Sequence, residues 1–460
     1  GEVPYLETLN IYSIKADYLK RFLDAIRNEE VEFETIEIPV KHQHKEKWKD
    51  LYILAKPENK KFEEEKVLKL EIDNNIYFTI DLLLKISVYQ ATERSREGIR
   101  TDQISGESIE LRFPQNFVDL LDWERIWQEV YEFKITQGYW NLVLDKDMLK
   151  NLLLSDRYKI MAFPKLLEVK SIDDLQQLED IALLIIKKYL DLFYNKHAKF
   201  FETNNFCYDK VNNMAEKLIP PHYTVQIDKR RTIQTASGKK DLATEIRNLV
   251  NDLEKLMKDD EETLPRVYFD SHLYVPILLQ SRKIDRISPV GLIESERKFV
   301  VDLREYLKNN KDNKDKFADV ELYLLRNYPF SGVGFQLQWS KFYPDFIMWV
   351  KKEGRQIIAF IDPKGLIHTK GLDDEKIQFA KEIKEIEQKL NKEDEQKSNK
   401  VDIYLESFIL SATPYESLIR GKINPPSKDE YIKHNVLFLD DKDWPEILFE
   451  KIDCLFRTLL

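Results

Sequence analysis

The chain has 460 residues, with 72 Lys and Arg against 82 Asp and Glu and a net charge of −10. That length allows two or three domains with full cores, and the acidic balance requires any nucleic-acid contact to come from a local basic track. Cys207 and Cys454 lie far apart and in no paired motif, which argues against a disulfide framework or a cysteine zinc site and points to a reducing cytoplasm. No signal peptide and no apolar run of bilayer length is read, so no membrane partner is expected. The start on Gly1 fits a truncated or processed product.

Residues 1–165 read as mixed α/β, with strands at 31–40, 51–55 and 76–78 and helices near 16–28 and 116–133. Arg94, Arg96 and Arg100 form a loop-like basic cluster around Gly98. Residues 166–264 read as a helical connection. Within 173–212, Leu175, Leu178, Ile181, Leu184, Ile185, Tyr189 and Phe193 recur at helical spacing, the mark of a packing face rather than a site. After Pro220-Pro221 come Lys229, Arg230 and Arg231, with Lys239 and Lys240 beyond a Ser-Gly turn. They are the densest candidate nucleic-acid contact, although such clusters are more often solvated faces. The acidic run Asp259-Asp260-Glu261-Glu262 follows a helical stretch at 241–257 and precedes Pro265, so it reads as a linker at a domain boundary.

Residues 265–460 form the third region, entered through Tyr268 to Tyr274. An amphipathic helix at 295–307 carries Phe299, Val300, Leu303 and Leu307 on one face, with Glu296 on the buried edge. A glutamate there also suits the helix dipole with no further role. The chain's sole Pro-Asp pair, Pro344-Asp345, leads into the apolar strand 346–350. A polar turn at 351–355 follows, and a second strand, 356–361, ends on Asp362-Pro363-Lys364. Residues two apart in a strand share a face, so Asp362 and Lys364 point the same way, and Asp345 stands at the near end of the neighbouring strand. Two acids and a lysine converging at a sheet end can hold a hard divalent cation and activate a water. Other acid-x-Lys triplets exist, at 312–314, 387–389 and 440–442. Only Asp362-Pro363-Lys364 both ends an apolar strand and lies one hairpin after a Pro-Asp. A charged helix at 373–389 and strands at 401–410 and 435–439 complete the order helix, strand, hairpin, strand, helix, strand, strand.

This arrangement resembles the PD-(D/E)xK nuclease core over residues 288–460, with Pro344-Asp345 as its first half and Asp362-Pro363-Lys364 as its second. The resemblance implies a mixed-sheet, restriction-endonuclease-like α/β domain behind an α/β plus helical N-terminal region. It implies Mg²⁺ or Mn²⁺ held by Asp345, Asp362, Glu296 and the Pro363 carbonyl, with Glu294 as the fallback for Glu296. Lys364 would orient the attacking water or neutralise developing charge, and Lys370, in the loop after the motif, would contact nucleic acid. Two departures are visible. Pro363 stands where a residue with a free N–H is usual, so the strand is expected to stop there with Lys364 on the first loop residue. Gln378 is followed four later by Glu382, so the Gln-x-x-x-Tyr feature of some relatives is not present.

Residues Leu6 to Lys20 look like the stretch after the motor core in type III restriction subunits, and Phe360 to Leu366 are similar to that group's nuclease end. The two resemblances together imply the C-terminal portion of a superfamily 2 helicase-nuclease acting on DNA in restriction or defence. Its partners would be a helicase motor region and a methyltransferase subunit. The chain has no Gly-x-x-x-x-Gly-Lys-Ser/Thr phosphate loop, so no ATP hydrolysis by this chain alone is expected. The alternative is a non-catalytic nucleic-acid-binding or subunit-assembly module with a vestigial nuclease fold.

Overall fold

The computed structural model describes residues 32–57, 60–82, 109–235, 238–310, 319–329, 332–338, 340–367, 369, 371–394, 402–420 and 424–457. The resemblance at Leu6 to Lys20, the helix at 16–28, the arginines at 94, 96 and 100, Lys370 and most of the two charged loops lie outside the described residues. The chain is mixed α/β, with both parallel and antiparallel strand pairs. It packs into two compact units that do not follow one another along the chain as the regions 1–165, 166–264 and 265–460 do. One holds the described residues up to Ile53, Tyr208–Val333 and everything from Tyr343; the other holds Leu54–Cys207 and Gly334–Phe342.

The second unit is built on the helix Ile172–Asn205, opened by a capping box in which Ser171 and Asp174 satisfy each other's backbone N–H groups. Leu178, Ile181, Ile185, Tyr189 and Phe193 are all buried along one stripe, as their spacing predicts. The helix ends at Asn205, earlier than expected, and strand Cys207–Lys210 follows. The helix expected at 116–133 starts late. Gln115–Leu120 is a 3₁₀ segment, and Asp122 then caps Trp123–Thr136 by accepting from the N–H groups of Glu124 and Arg125.

The first unit carries a three-stranded antiparallel sheet (Phe33–Pro39, His222–Asp228, Arg286–Ser288) and a larger five-stranded one. The larger sheet follows helix α1 (Glu294–Asn309) and contains β1 (Glu321–Arg326), β2 (Phe346–Lys352) and β3 (Arg355–Lys364). Helix α2 (Glu375–Asp394), β4 (Ile403–Ser411), β5 (Val436–Phe438) and helix α3 (Trp444–Arg457) complete it. The strands lie in the order β1-β2-β3-β4-β5, antiparallel through β3 and parallel from β3 to β5. Strand β1 is an element the sequence reading did not identify. The β2–β3 hairpin closes on Glu353-Gly354, both at positive φ (51° and 78°), the two-residue turn whose twist matches antiparallel strands. Phe299, Val300 and Leu303 of α1 pack with Phe346, Met348, Val350, Ile357, Ala359 and Ile361, so alternate positions of β2 and β3 form one core face under the helix.

Strand β3 runs through Pro363 and ends on Lys364, where the proline was expected to stop it. The register explains the difference. The Lys364 carbonyl accepts from Ala412 N–H (2.8 Å) on the β4 side, so alternate backbone groups of β3, including those of Pro363, face β2. Pairing with β2 ends at Phe346 opposite Ile361, so no ladder bond is lost at the proline.

The acidic run Asp259 to Glu262 is not a linker: the residues on both sides of it belong to the first unit. Asp259 pairs with Arg304, Asp260 with Arg266, Glu261 with Arg297 and Glu262 with Lys283. Among the described residues, no helix is long and apolar enough to cross a membrane.

Candidate active site: a carboxylate pair at a sheet end

The antiparallel register of β2 and β3 pairs Phe346 with Ile361, so the next step along each strand sets Asp345 opposite Asp362. The two carboxyl groups are neighbours, and the charge of Asp345 acts directly on Asp362. Asp362 is 4% exposed, and its Oδ2 has no hydrogen-bond partner. Burial first, and then the charge of Asp345, push the Asp362 carboxyl up to about 7, against the pull of Lys376 and Lys364. Asp345 is likewise raised by burial and by Glu296, opposed by Arg326. Two adjacent carboxyls repel one another when both are ionised, and at this pair the upward push prevails over the nearby Arg326, Lys364 and Lys376.

Lys364 shares the face of Asp362, as the two-residue spacing predicts, with Nζ 4.0 Å from Oδ2. Burial, followed by the neighbouring charge of Lys376, holds the Lys364 ammonium below the ordinary lysine range. Lys376, on the first turn of α2, places its Nζ 3.8 Å from the same Asp362 oxygen. Nothing in the sequence around Lys376 separates it from the other lysines of that helix. Only the fold brings it to the site.

Glu296 is buried at 4% exposure, and both its oxygens are engaged. Oε2 accepts from Ile293 N–H (3.0 Å) at the helix start, and Oε1 lies 3.0 Å from Arg326 Nη2. The same guanidinium reaches Asp345 Oδ1 through Nη1 at 3.1 Å. Glu296 therefore meets the carboxylate pair through Arg326. Glu294, the fallback, is exposed and pairs with Arg297 at 3.7 Å. The Pro363 carbonyl accepts from Ser295 Oγ at 3.4 Å. Among the described residues, no three or more His, Cys, Asp or Glu side chains stand together as a group that could hold a metal ion.

Arg326 was missed, although the sequence carries a trace of it. It closes an apolar run, as Asp362 does. Its side chain is 8% exposed and lies 5.2 Å from the Phe346 ring centroid and 6.0 Å from that of Tyr328. Burial alone would lower its proton affinity, but Asp345 and Glu296 more than offset that. Its backbone N–H donates to His272 Nε2 (2.9 Å), and His272 Nδ1 meets the Tyr274 carbonyl at 2.8 Å. A carbonyl only accepts, so Nδ1 carries the hydrogen and the ring is neutral. Burial pushes that imidazole down to about 3. Behind it, the hydroxyls of Tyr223, Tyr274 and Tyr328 close a triangle with sides of 2.7, 2.8 and 3.2 Å.

Asn327 fixes the loop that presents Asp345. Its N–H donates to the Asp345 carbonyl (2.8 Å), and its Nδ2 to the carbonyls of Pro344 and Val333 (both 2.8 Å). A Cβ at Gly332 would collide with Asn327 Oδ1, so this close approach requires glycine.

Lys229, Arg230 and Arg231 sit on the turn after His222–Asp228, and none pairs with the carboxylate cluster. Lys229 binds Glu32 (2.9 Å), Arg230 binds Asp228 (3.0 Å) and Arg231 binds Asp285. Gln378 Nε2 donates to the Leu372 carbonyl (2.6 Å). Set beside known proteins, the chain matched no family model, no curated protein and no solved structure.

Proposed function

We infer that this chain is a metal-dependent endonuclease that hydrolyses DNA phosphodiester bonds, the nuclease portion of a restriction- or defence-type helicase-nuclease in the cytoplasm. The observation that carries this reading is the pair of buried Asp362 and half-buried Asp345, flanked by Lys364 and Lys376 at the end of β2 and β3. The order α1-β1-β2-β3-α2-β4 supports a PD-(D/E)xK type of fold, with both motif halves on adjacent strand ends.

The residues present fit a hard divalent cation. Asp362 Oδ2 is buried with no hydrogen-bond partner, and a like-charged neighbour faces it. Carboxylate oxygens are the donors that Mg²⁺ and Mn²⁺ prefer. Asp345 and Asp362 would hold the ion, which when bound supplies charge to polarise a phosphate and to acidify a water. Lys364 contributes a compact point charge beside Asp362 for a phosphate oxygen. Its depressed proton affinity readies it to give up a proton in the same place. Lys376 adds a second positive charge on the Asp362 side, where the negative phosphate must enter. For Lys229, Arg230 and Arg231 to grip DNA, phosphates would have to replace the carboxylates of Glu32, Asp228 and Asp285. A helicase motor and a methyltransferase subunit as partners rest on the sequence resemblance alone.

One observation favours the non-catalytic alternative: Arg326 already occupies Glu296 and one oxygen of Asp345. The two readings separate in a cleavage assay. Plasmid and labelled single-stranded DNA are incubated with Mg²⁺, Mn²⁺ or EDTA, beside Asp362→Ala. Cutting that needs metal and disappears in the variant is the expected result. DNA retention without cutting under any metal favours the binding module.

A further inference from the structure

We propose that Arg326 is a built-in cation standing where a second divalent ion would bind, so that the carboxylate pair takes one Mg²⁺ or Mn²⁺ and Glu296 never ligates it. This rests on the metal-dependent reading above and deepens it.

The argument is first one of volume. An ion bridging Glu296 and Asp345 needs oxygens at about 2.0–2.2 Å. The Arg326 nitrogens lie 3.0 Å from Glu296 Oε1 and 3.1 Å from Asp345 Oδ1, so the guanidinium fills the space between those two oxygens. Nor can it swing aside easily. The side chain is 8% exposed, and Nη1 also reaches the Asp345 carbonyl at 3.3 Å. The backbone is fixed by the β1–β2 ladder and by His272. Phe346, its register partner, lies beneath the guanidinium.

Charge gives the same result. Arg326 and Glu296 cancel, which leaves Asp345 and Asp362, already faced by Lys364 and Lys376, with negative charge for at most one divalent ion. A second ion would face the guanidinium at close range with no free carboxylate of its own. Removing Arg326 to make room would strand a buried Glu296, which is the costly way to break a buried ion pair.

The test counts Mn²⁺ bound to the full chain by electron paramagnetic resonance at saturating Mn²⁺. The expected result is one ion per chain in the native protein, one in Glu296→Gln, and none in Asp345→Asn or Asp362→Asn. Arg326→Met should rise from one ion to two, because the Glu296–Asp345 gap opens. Should that variant not fold, as judged by circular dichroism, the Glu296→Gln arm decides. Two ions in the native chain, falling to one in Glu296→Gln, would overturn the inference and leave the metal-dependent reading standing. A folded Arg326→Met that still binds one ion would also overturn it. No Mn²⁺ in the native chain, or binding unmoved by Asp362→Asn, would remove the metal-dependent reading and this inference together.

Discussion

Two acidic clusters in the first unit are handled in opposite ways. At Asp259 to Glu262, four consecutive acids each meet a cation of their own. Asp260 also accepts the N–H groups of Glu262, Thr263 and Leu264, and these bonds together outweigh burial and hold its carboxyl below the usual range. At half-buried Asp345 and buried Asp362, two acids face each other, and both carboxyls are pushed upward. The first cluster is an ordinary piece of architecture. The second carries a stored electrostatic conflict of the kind that a bound cation relieves, and such perturbed groups concentrate at functional sites. The difference does not follow from acid count. It follows from whether backbone N–H groups hold the carboxylate and whether another acid faces it.

The largest effect that would sharpen this contrast is on chemistry. Asp362→Ala, Lys364→Ala and Asp345→Ala should each cut the cleavage rate by about a thousandfold or more, on the order of 4 kcal/mol of barrier, while circular dichroism stays unchanged. Cleavage at the native rate by Lys364→Ala would remove that residue from the mechanism. Asp260→Ala should cost about 4 kcal/mol in urea unfolding, because Arg266, only 3% exposed, is left buried without its partner. A loss under about 1 kcal/mol there would mean that the ordered acidic run is not a structural device.

His272→Leu should cost about 3 kcal/mol at pH 7, since it strands the Arg326 N–H and the Tyr274 carbonyl. It should also flatten the acid limb of stability. The folded imidazole titrates near 3 against an ordinary 6.5, so the unfolded chain binds the extra proton in that window. Stability from this group is therefore present above pH 6.5 and lost as pH falls towards 3, at about 1.4 kcal/mol per unit. An acid limb equally steep in the variant would assign the effect to other groups.

Asp362→Asn runs in the opposite direction. Its carboxyl is raised from 3.8 to about 7, so its favourable contribution is complete below 3.8 and is lost as pH climbs to 7. The variant should gain about 4 kcal/mol over the native chain at pH 8 and nothing at pH 4. A melting temperature lower than native at pH 8 would mean the pair is already satisfied. The smallest effect belongs to the rim of the acidic run. Lys283→Ala, against the exposed Glu262, should change stability by less than about 0.5 kcal/mol.

The two halves of the motif were legible in the sequence because strand alternation and a short hairpin are local rules. Phe346 to Lys352 and Arg355 to Lys364 are apolar, and the turn between them contains a glycine, so Asp345 and Asp362 had to finish near one another. Glu296 was legible as a buried edge of α1 for the same reason: helical spacing from Phe299 and Val300 sets its direction. Pro363 misled because its cost depends on which side of the strand has a partner, and that is a property of the sheet. The acidic run misled because charge density looks alike whether or not its partners lie 20 to 45 residues away in sequence, as Lys283, Arg297 and Arg304 do.

By itself, then, the sequence determined an α/β chain, the long packing helix, the hairpin and the same-face placement of Asp362 and Lys364. These follow from periodicities of 3.6 and 2 that need no distant contact. Only the tertiary structure decided that Arg326 lies between Glu296 and Asp345, that Lys376 reaches Asp362 from α2, and that neutral His272 fixes the end of β1. The physical reason is that burial and charge pairing are set by what the fold brings within about 4 Å, and Coulomb energies inside a protein change severalfold with that choice.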